Sequence, residues 1–107
     1  MPKKIYNKLV RDRIPEIILN SGKECKTRIL SDEEYLKMLD AKLDEELSEY
    51  HQDQNLEELA DMLELIYASA IAHGYTLEDL EAKRAEKAKT RGTFEQKILL
   101  IETNEQN

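Results

Sequence analysis

The 107-residue chain has few glycine, proline and cysteine residues, and each shortage excludes a class of protein. Three Gly and two Pro are too few for a loop-rich β fold, whereas the content of Leu, Glu, Lys and Ala favours helix. The one cysteine, Cys25, cannot form an intramolecular disulfide, so the sequence predicts a reducing, cytoplasmic setting. A glycine-rich phosphate loop is absent, which excludes P-loop chemistry.

Long apolar runs are also missing, and the charge is unevenly distributed. No stretch reaches the roughly 20 apolar residues that cross a bilayer, and no apolar segment follows the basic start of the chain. The net charge is −7, with thirteen acids in residues 32–64 and basic segments on both sides. Binding a nucleic-acid polymer requires one large basic face, so a polymer is not an expected partner. A membrane is not an expected partner either, because no stretch is long and apolar enough to cross it.

Apolar residues at steps of three and four predict a mainly α fold based on an antiparallel helical hairpin. Its two long helices are predicted over residues 32–51 and 55–73. Ser31 and Glu34 have the spacing of a capping box before the first long helix. Gly74 is the predicted stop of the second long helix.

Shorter elements are predicted on both sides of the hairpin. A short helix begins with Asp12 as its N-cap and Pro15 in its first turn. A third helix runs from the cap Thr76 to about residue 89. Residues 26–30 and 98–101 are predicted to pair as a minor two-stranded sheet.

Length and apolar patterning also predict the domain organisation. Residues 1–101 are expected to form a single domain and residues 102–107 a polar tail. The predicted core stripes are Leu36, Leu39, Leu43, Leu47 and Tyr50 on the first long helix and Leu56, Leu59, Leu63, Ile66 and Ala70 on the second. After Asp61 the second helix is apolar nearly all round, which indicates burial against another subunit.

Two pairs of carboxylates lie beside these stripes. Glu46 and Glu49 are three residues apart on the first long helix, and Glu58 and Asp61 are three apart on the second, so each pair shares a face. Four converging carboxylates repel one another unless a cation lies among them, and oxygen ligands on rigid elements suit Mg²⁺ or Mn²⁺. The alternative interpretation is an ordinary solvated helix face.

These pairs also resemble a known signature. Residues 45–49 (EELSE) followed by 58–61 (ELAD) resemble the EExxE…ExxD pattern of the all-α NTP pyrophosphohydrolase (MazG-like) superfamily. Residues 6–18 and 83–94 are similar to its compact phosphoribosyl-ATP pyrophosphohydrolase-like, house-cleaning subgroup. That subgroup usually has Gly-Gly where this chain has Gly92-Thr93.

The resemblance implies an α-helical homodimer or homotetramer that hydrolyses a nucleoside triphosphate or related nucleotide. Cleavage between the α and β phosphates would give a monophosphate and pyrophosphate. The implied Mg²⁺ ligands are Glu46, Glu49, Glu58 and Asp61. Glu49 is the candidate general base, with Glu46 beside it. The candidate phosphate-binding residues are Lys8, Arg11, Lys83, Lys87 and Arg91, each of which is otherwise a surface charge.

Other features leave alternatives open. Glu45 belongs to the signature, but it is expected to point about 100° away from Glu46 around the helix. His51 and His73 are assigned to the surface or to helix caps. A non-catalytic helical interaction protein and a nucleotide-binding sensor would both be compatible with the same apolar and acidic pattern.

Overall fold

The computed structural model of the protein describes residues 3–105 and is mainly α, as predicted. Its four helices are α1 (Ile14–Asn20), α2 (Asp32–Asp53), α3 (Leu56–Ala72) and α4 (Leu77–Arg91). The chain forms two compact units, Met1–Tyr75 and Thr76–Asn107, and each is described by itself. Residues 1–2 and 106–107, at the outer ends of the predicted domain and tail, lie outside the described residues.

Local sequence signals set the beginnings of α2 and α4. The Ser31 side chain accepts a hydrogen bond from the Glu34 backbone N–H, and the Glu34 carboxylate accepts one from the Ser31 N–H, which confirms the capping box of α2. Thr76 caps α4 as predicted. The prediction for α1 was wrong: its N-cap is Arg13, because the Ile14 N–H bonds to the Arg11 carbonyl in a backbone turn.

The connection between α2 and α3 is short enough to force a hairpin. Gln54 ends α2 with φ 48°, in the left-handed region. Asn55 then caps α3, because its side chain accepts a hydrogen bond from the Glu58 N–H. With only these two residues between them, α2 and α3 run antiparallel and pack against each other. This confirms the predicted hairpin.

The face of α3 that is turned inward differs from the predicted one. Leu56 is 80% exposed, and Leu59, Leu63 and Ile66 are 42–46% exposed. The less exposed side chains of α3 include Glu58, Asp61, Met62, Leu65 and Ser69. The predicted stripe was therefore wrong at these four positions, whereas its fifth member, Ala70, is among the less exposed residues. A helix that is apolar on several sides does not specify which side meets its neighbour.

The inward face of α2 also differs at one position. Leu39 is fully buried, as predicted, but Leu47 is 44% exposed. The buried residue of that part of the helix is Glu46, which is only 6% exposed. A carboxylate therefore lies where the periodicity predicted leucine.

The predicted two-stranded sheet does not form among residues 3–105. Residues 26–30 and 98–101 have no regular secondary structure. Their β-branched and apolar residues favour extended backbone, but a strand also requires a ladder of hydrogen bonds to a neighbour, which these segments lack. Within the same described range, no helix is long and apolar enough to span a bilayer.

Candidate metal centre

The helical hairpin brings the predicted carboxylates together around Glu46. Oxygen atoms of Glu46, Glu58 and Asp61 lie within 4.8 Å of one another, and so do oxygens of Glu45, Glu46 and Glu49. Glu46 belongs to both groups because it lies on the face of α2 that packs against α3. The two groups thus form one acidic cluster (Glu45, Glu46, Glu49, Glu58 and Asp61) that spans both helices.

Two oxygens of this acidic cluster are buried without a hydrogen-bond partner. They are Oε2 of Glu46 and Oε2 of Glu58. A buried carboxylate oxygen without a partner costs free energy, since it has lost its hydrogen bonds to water and no protein donor replaces them. These oxygens can be satisfied by a proton or by a cation, and both responses relieve the repulsion between the carboxylates.

Two carboxyl groups of the cluster hold a proton more tightly than a free glutamate does. Burial and the neighbouring carboxylates of Glu46 and Glu49 raise the pKa of Glu58 to about 7. Burial and the neighbouring carboxylate of Glu49 also raise the pKa of Glu46. The cluster therefore resists holding all its negative charges at once, which is the electrostatic environment that favours a bound divalent cation.

Two cationic residues of the N-terminal arm (residues 3–11) contact this acidic cluster. The Arg11 guanidinium lies 2.8 Å from an Asp61 oxygen and 3.9 Å from one of Glu64. Lys8 Nζ lies 3.1 Å from Glu45 Oε1. Two of the five predicted phosphate-binding residues are thus adjacent to the candidate metal ligands.

The other three predicted phosphate-binding residues belong to α4, in the second compact unit. Lys83, Lys87 and Arg91 are all exposed there, and Lys83 pairs with Glu86 at 3.1 Å. Arg91 lies in the last turn of α4, where a cation favours the helix dipole. Their role as phosphate-binding residues stays a prediction.

Two details of the acidic cluster differ from the sequence reasoning. Glu45 was expected to point away from Glu46, yet one of its oxygens lies within 4.8 Å of oxygens of Glu46 and Glu49. Glu45 and Glu49 are four residues apart, so they share a face of α2. Lys42 was not predicted at all. Its Nζ lies 3.5 Å from oxygens of both Glu45 and Glu46. Its spacing of three and four residues from these acids is the signal that could have identified it.

The chain is 63% identical over 41 residues to an uncharacterised protein of Mycolicibacterium smegmatis, a match that covers 38% of this chain and 42% of that protein. The match thus spans less than half the length of that relative. No family model matches the chain. No solved structure matches it either.

Proposed function

We propose that the protein is a Mg²⁺-dependent nucleotide pyrophosphohydrolase of the MazG-like type, which cleaves between the α and β phosphates. The observation that carries the proposal is the buried Glu46, whose unpaired oxygen lies among the carboxylates of two packed helices. A solvated helix face does not bury a carboxylate in this way. The EExxE…ExxD resemblance then connects this cluster to a reaction.

Four acids of the cluster and two cations of the N-terminal arm have proposed tasks. Glu46, Glu49, Glu58 and Asp61 would hold Mg²⁺, for which their carboxylate oxygens are suitable ligands; Mn²⁺ would be accepted by the same donors. Bound Mg²⁺ would supply positive charge for the substrate phosphates and would acidify a water molecule. Glu49 would accept the proton of the attacking water. Arg11 and Lys8 would bind phosphate oxygens and stabilise the charge that develops on the leaving pyrophosphate.

The direct test is pyrophosphate release from a panel of nucleotides. Standard and damaged nucleoside triphosphates, together with phosphoribosyl-ATP, are incubated with Mg²⁺ and separately with chelator. We expect Mg²⁺-dependent release of pyrophosphate from at least one of them, and we expect Glu49→Gln to abolish it. Glu57→Gln is the matched control, since Glu57 is an exposed acid of the first turn of α3. Absence of release from every nucleotide by the wild-type chain would refute the proposal.

The proposal also predicts a pH dependence of metal binding. Glu58 holds a proton below about pH 7 in the folded, metal-free chain, and that proton must leave before the carboxylate can bind a cation. We therefore expect Mg²⁺ affinity to rise with pH, by up to about tenfold per pH unit below 7, and to level off above it. Isothermal titration in buffers of different ionisation enthalpy would detect the released proton. A pH-independent affinity between pH 5.5 and 8 would contradict this prediction.

The raised pKa of Glu58 also determines how the free energy of unfolding of the metal-free chain changes with pH. Glu58 in the folded chain has a pKa of about 7, above its ordinary 4.5, so the folded chain holds a proton that the unfolded chain has lost between these values. The free energy of unfolding without metal should therefore fall as pH rises from about 4.5 to 7. Added Mg²⁺ should restore stability at the upper end of this range.

The proposed active form is a homodimer or homotetramer in the cytoplasm. Its support is the exposed apolar face of α3, formed by Leu56, Leu59, Leu63 and Ile66. A second copy would cover this face and add to the core of the hairpin. The same observation favours a second candidate function, a non-catalytic helical interaction protein. That protein would form stable oligomers but would release pyrophosphate from no nucleotide.

A further inference from the structure

A cleft between the N-terminal arm and α2 lies directly beside the acidic cluster. Its lining includes Asn7, Lys8, Met38, Lys42 and Glu45. The cleft is formed within the first compact unit. It therefore combines two ammonium groups, an amide and apolar surface next to the candidate metal ligands.

The two ammonium groups share one carboxylate oxygen. Lys8 Nζ lies 3.1 Å and Lys42 Nζ 3.5 Å from Glu45 Oε1. The hydrogen bond from Lys8 lowers the pKa of Glu45, so this carboxylate is charged at neutral pH. Lys42 Nζ also lies 3.5 Å from Glu46 Oε1, so the two ammonium groups face two carboxylates. Each ammonium carries three N–H donors, more than these contacts use, so donors remain for a further anion.

Glu45 has a second set of partners within reach. One of its oxygens also lies within 4.8 Å of oxygens of Glu46 and Glu49. A cation held in the acidic cluster would compete with Lys8 and Lys42 for the same carboxylate. If Glu45 turned to that cation, Lys8 and Lys42 would lose their contact with Glu45, and Lys42 would keep its contact with Glu46. The donors released from Glu45 could then bind another anion.

We propose that Lys8 and Lys42 form a binding subsite for the phosphate chain of the substrate, and that Glu45 blocks this subsite until a cation binds in the acidic cluster. The inference rests on the proposed function, because it names phosphate as the anion. It assigns Lys42 a role in substrate binding and explains why Glu45 lies between the lysines and the other acids. Metal and phosphate would then each strengthen the binding of the other, as linkage requires.

The test is titration of the metal-free chain with inorganic pyrophosphate in the presence of chelator at constant ionic strength. Glu45→Gln removes the blocking charge and keeps the shape of the side chain. We expect it to tighten pyrophosphate binding about five- to tenfold, since it removes both the competing ion pair and a repulsion. Lys42→Met should weaken binding at least about tenfold. In the Lys42→Met background, Glu45→Gln should tighten binding less than it does in the wild type, since part of the Glu45 effect acts through Lys42.

Matched controls lie on the same helix. Lys37 and Glu33 form an i, i+4 ion pair at 3.8 Å on the exposed face of α2. Lys37→Met and Glu33→Gln should leave pyrophosphate affinity unchanged. Lys8→Met is a second test that does not depend on packing within α2, because Lys8 lies on the arm with half its side chain exposed. It should also weaken binding.

Two results would overturn the subsite. One is a Glu45→Gln variant that binds pyrophosphate no more tightly than the wild type. The other is a pair of variants, Lys42→Met and Lys8→Met, that both bind it as the wild type does. Because the titration contains neither metal nor turnover, it is independent of the nucleotide panel. Failure to hydrolyse nucleotides would refute the proposed function, whereas these titrations decide the subsite alone.

Discussion

Replacing Glu46 with Gln is expected to abolish Mg²⁺-dependent pyrophosphate release and, at the same time, to stabilise the metal-free chain. Glu46 is 6% exposed and contributes oxygens to both groups of the acidic cluster. Without its charge the cluster should lose most of its affinity for the cation. The rate of release should fall by about a thousandfold, the size expected when several kcal/mol of charge stabilisation are removed.

The stabilising effect has a separate physical cause. In the metal-free chain the Glu46 carboxylate is buried among other acids, and its Oε2 has no partner. A glutamine of the same shape carries no charge, and its amide can donate a hydrogen bond to a neighbouring carboxylate. Loss of this buried repulsion should raise the free energy of unfolding by about 1 kcal/mol, a few degrees in Tm for a chain of this size.

Pyrophosphate release with Mg²⁺ and Tm in chelator are both measured on Glu46→Gln and on a control variant. Glu33→Gln is the control, because Glu33 lies in the first turn of α2 with 86% of its side chain exposed. It should change neither pyrophosphate release nor Tm in chelator appreciably. Full activity in Glu46→Gln would exclude this residue as a metal ligand. A lower Tm in chelator would show that the buried carboxylate is stabilising.

Replacing Leu63 with Glu is expected to dissociate the proposed oligomer. Leu63 lies 46% exposed within the apolar face of α3, between Leu59 and Ile66. Covering the exposed 46% of Leu63 with a second copy contributes about 1 kcal/mol. A glutamate in the same place would have to be buried without a partner, which costs more. Light scattering coupled to size exclusion should therefore report a single chain for the variant and a multiple of it for the wild type.

The control for this substitution is a leucine of the same unit on another helix. Leu19 of α1 is 57% exposed, so Leu19→Glu adds the same charge at a similarly open position. It should leave the oligomeric mass unchanged. The Tm of the wild type should also rise with protein concentration, whereas that of Leu63→Glu should not. A wild-type chain that is monomeric at micromolar concentration would refute the proposed assembly.

The parts of the fold that could be predicted from the sequence depend on neighbours along the chain. The capping boxes of α2 and α4 join residues only three positions apart, so the pattern of Ser31 and Glu34 was sufficient to locate one of them. The helical hairpin followed from apolar periodicity and a short polar break. Residues 26–30 illustrate the limit, because their composition favours a strand but a strand also requires a paired neighbour.

The inward faces of the helices could not be predicted in the same way. Leu59 and Leu63 were assigned to the core of α3, yet Glu58 and Asp61 lie on the side that meets α2. The sequence of α3 is apolar on several sides, so periodicity alone permits more than one rotation about the helix axis. Which rotation is adopted depends on the partner surface, and that information is not local.

The amino-acid sequence by itself determined where the helices lie and that four carboxylates would be available on two of them. The tertiary structure decided that Glu46 is buried at the centre of the cluster, and that Lys8 and Arg11 reach Glu45 and Asp61 across 37 and 50 residues of chain. Helix formation follows from interactions between residues three and four apart. Burial, pKa and ion pairing instead depend on which distant segments pack together, since desolvation and charge act through space.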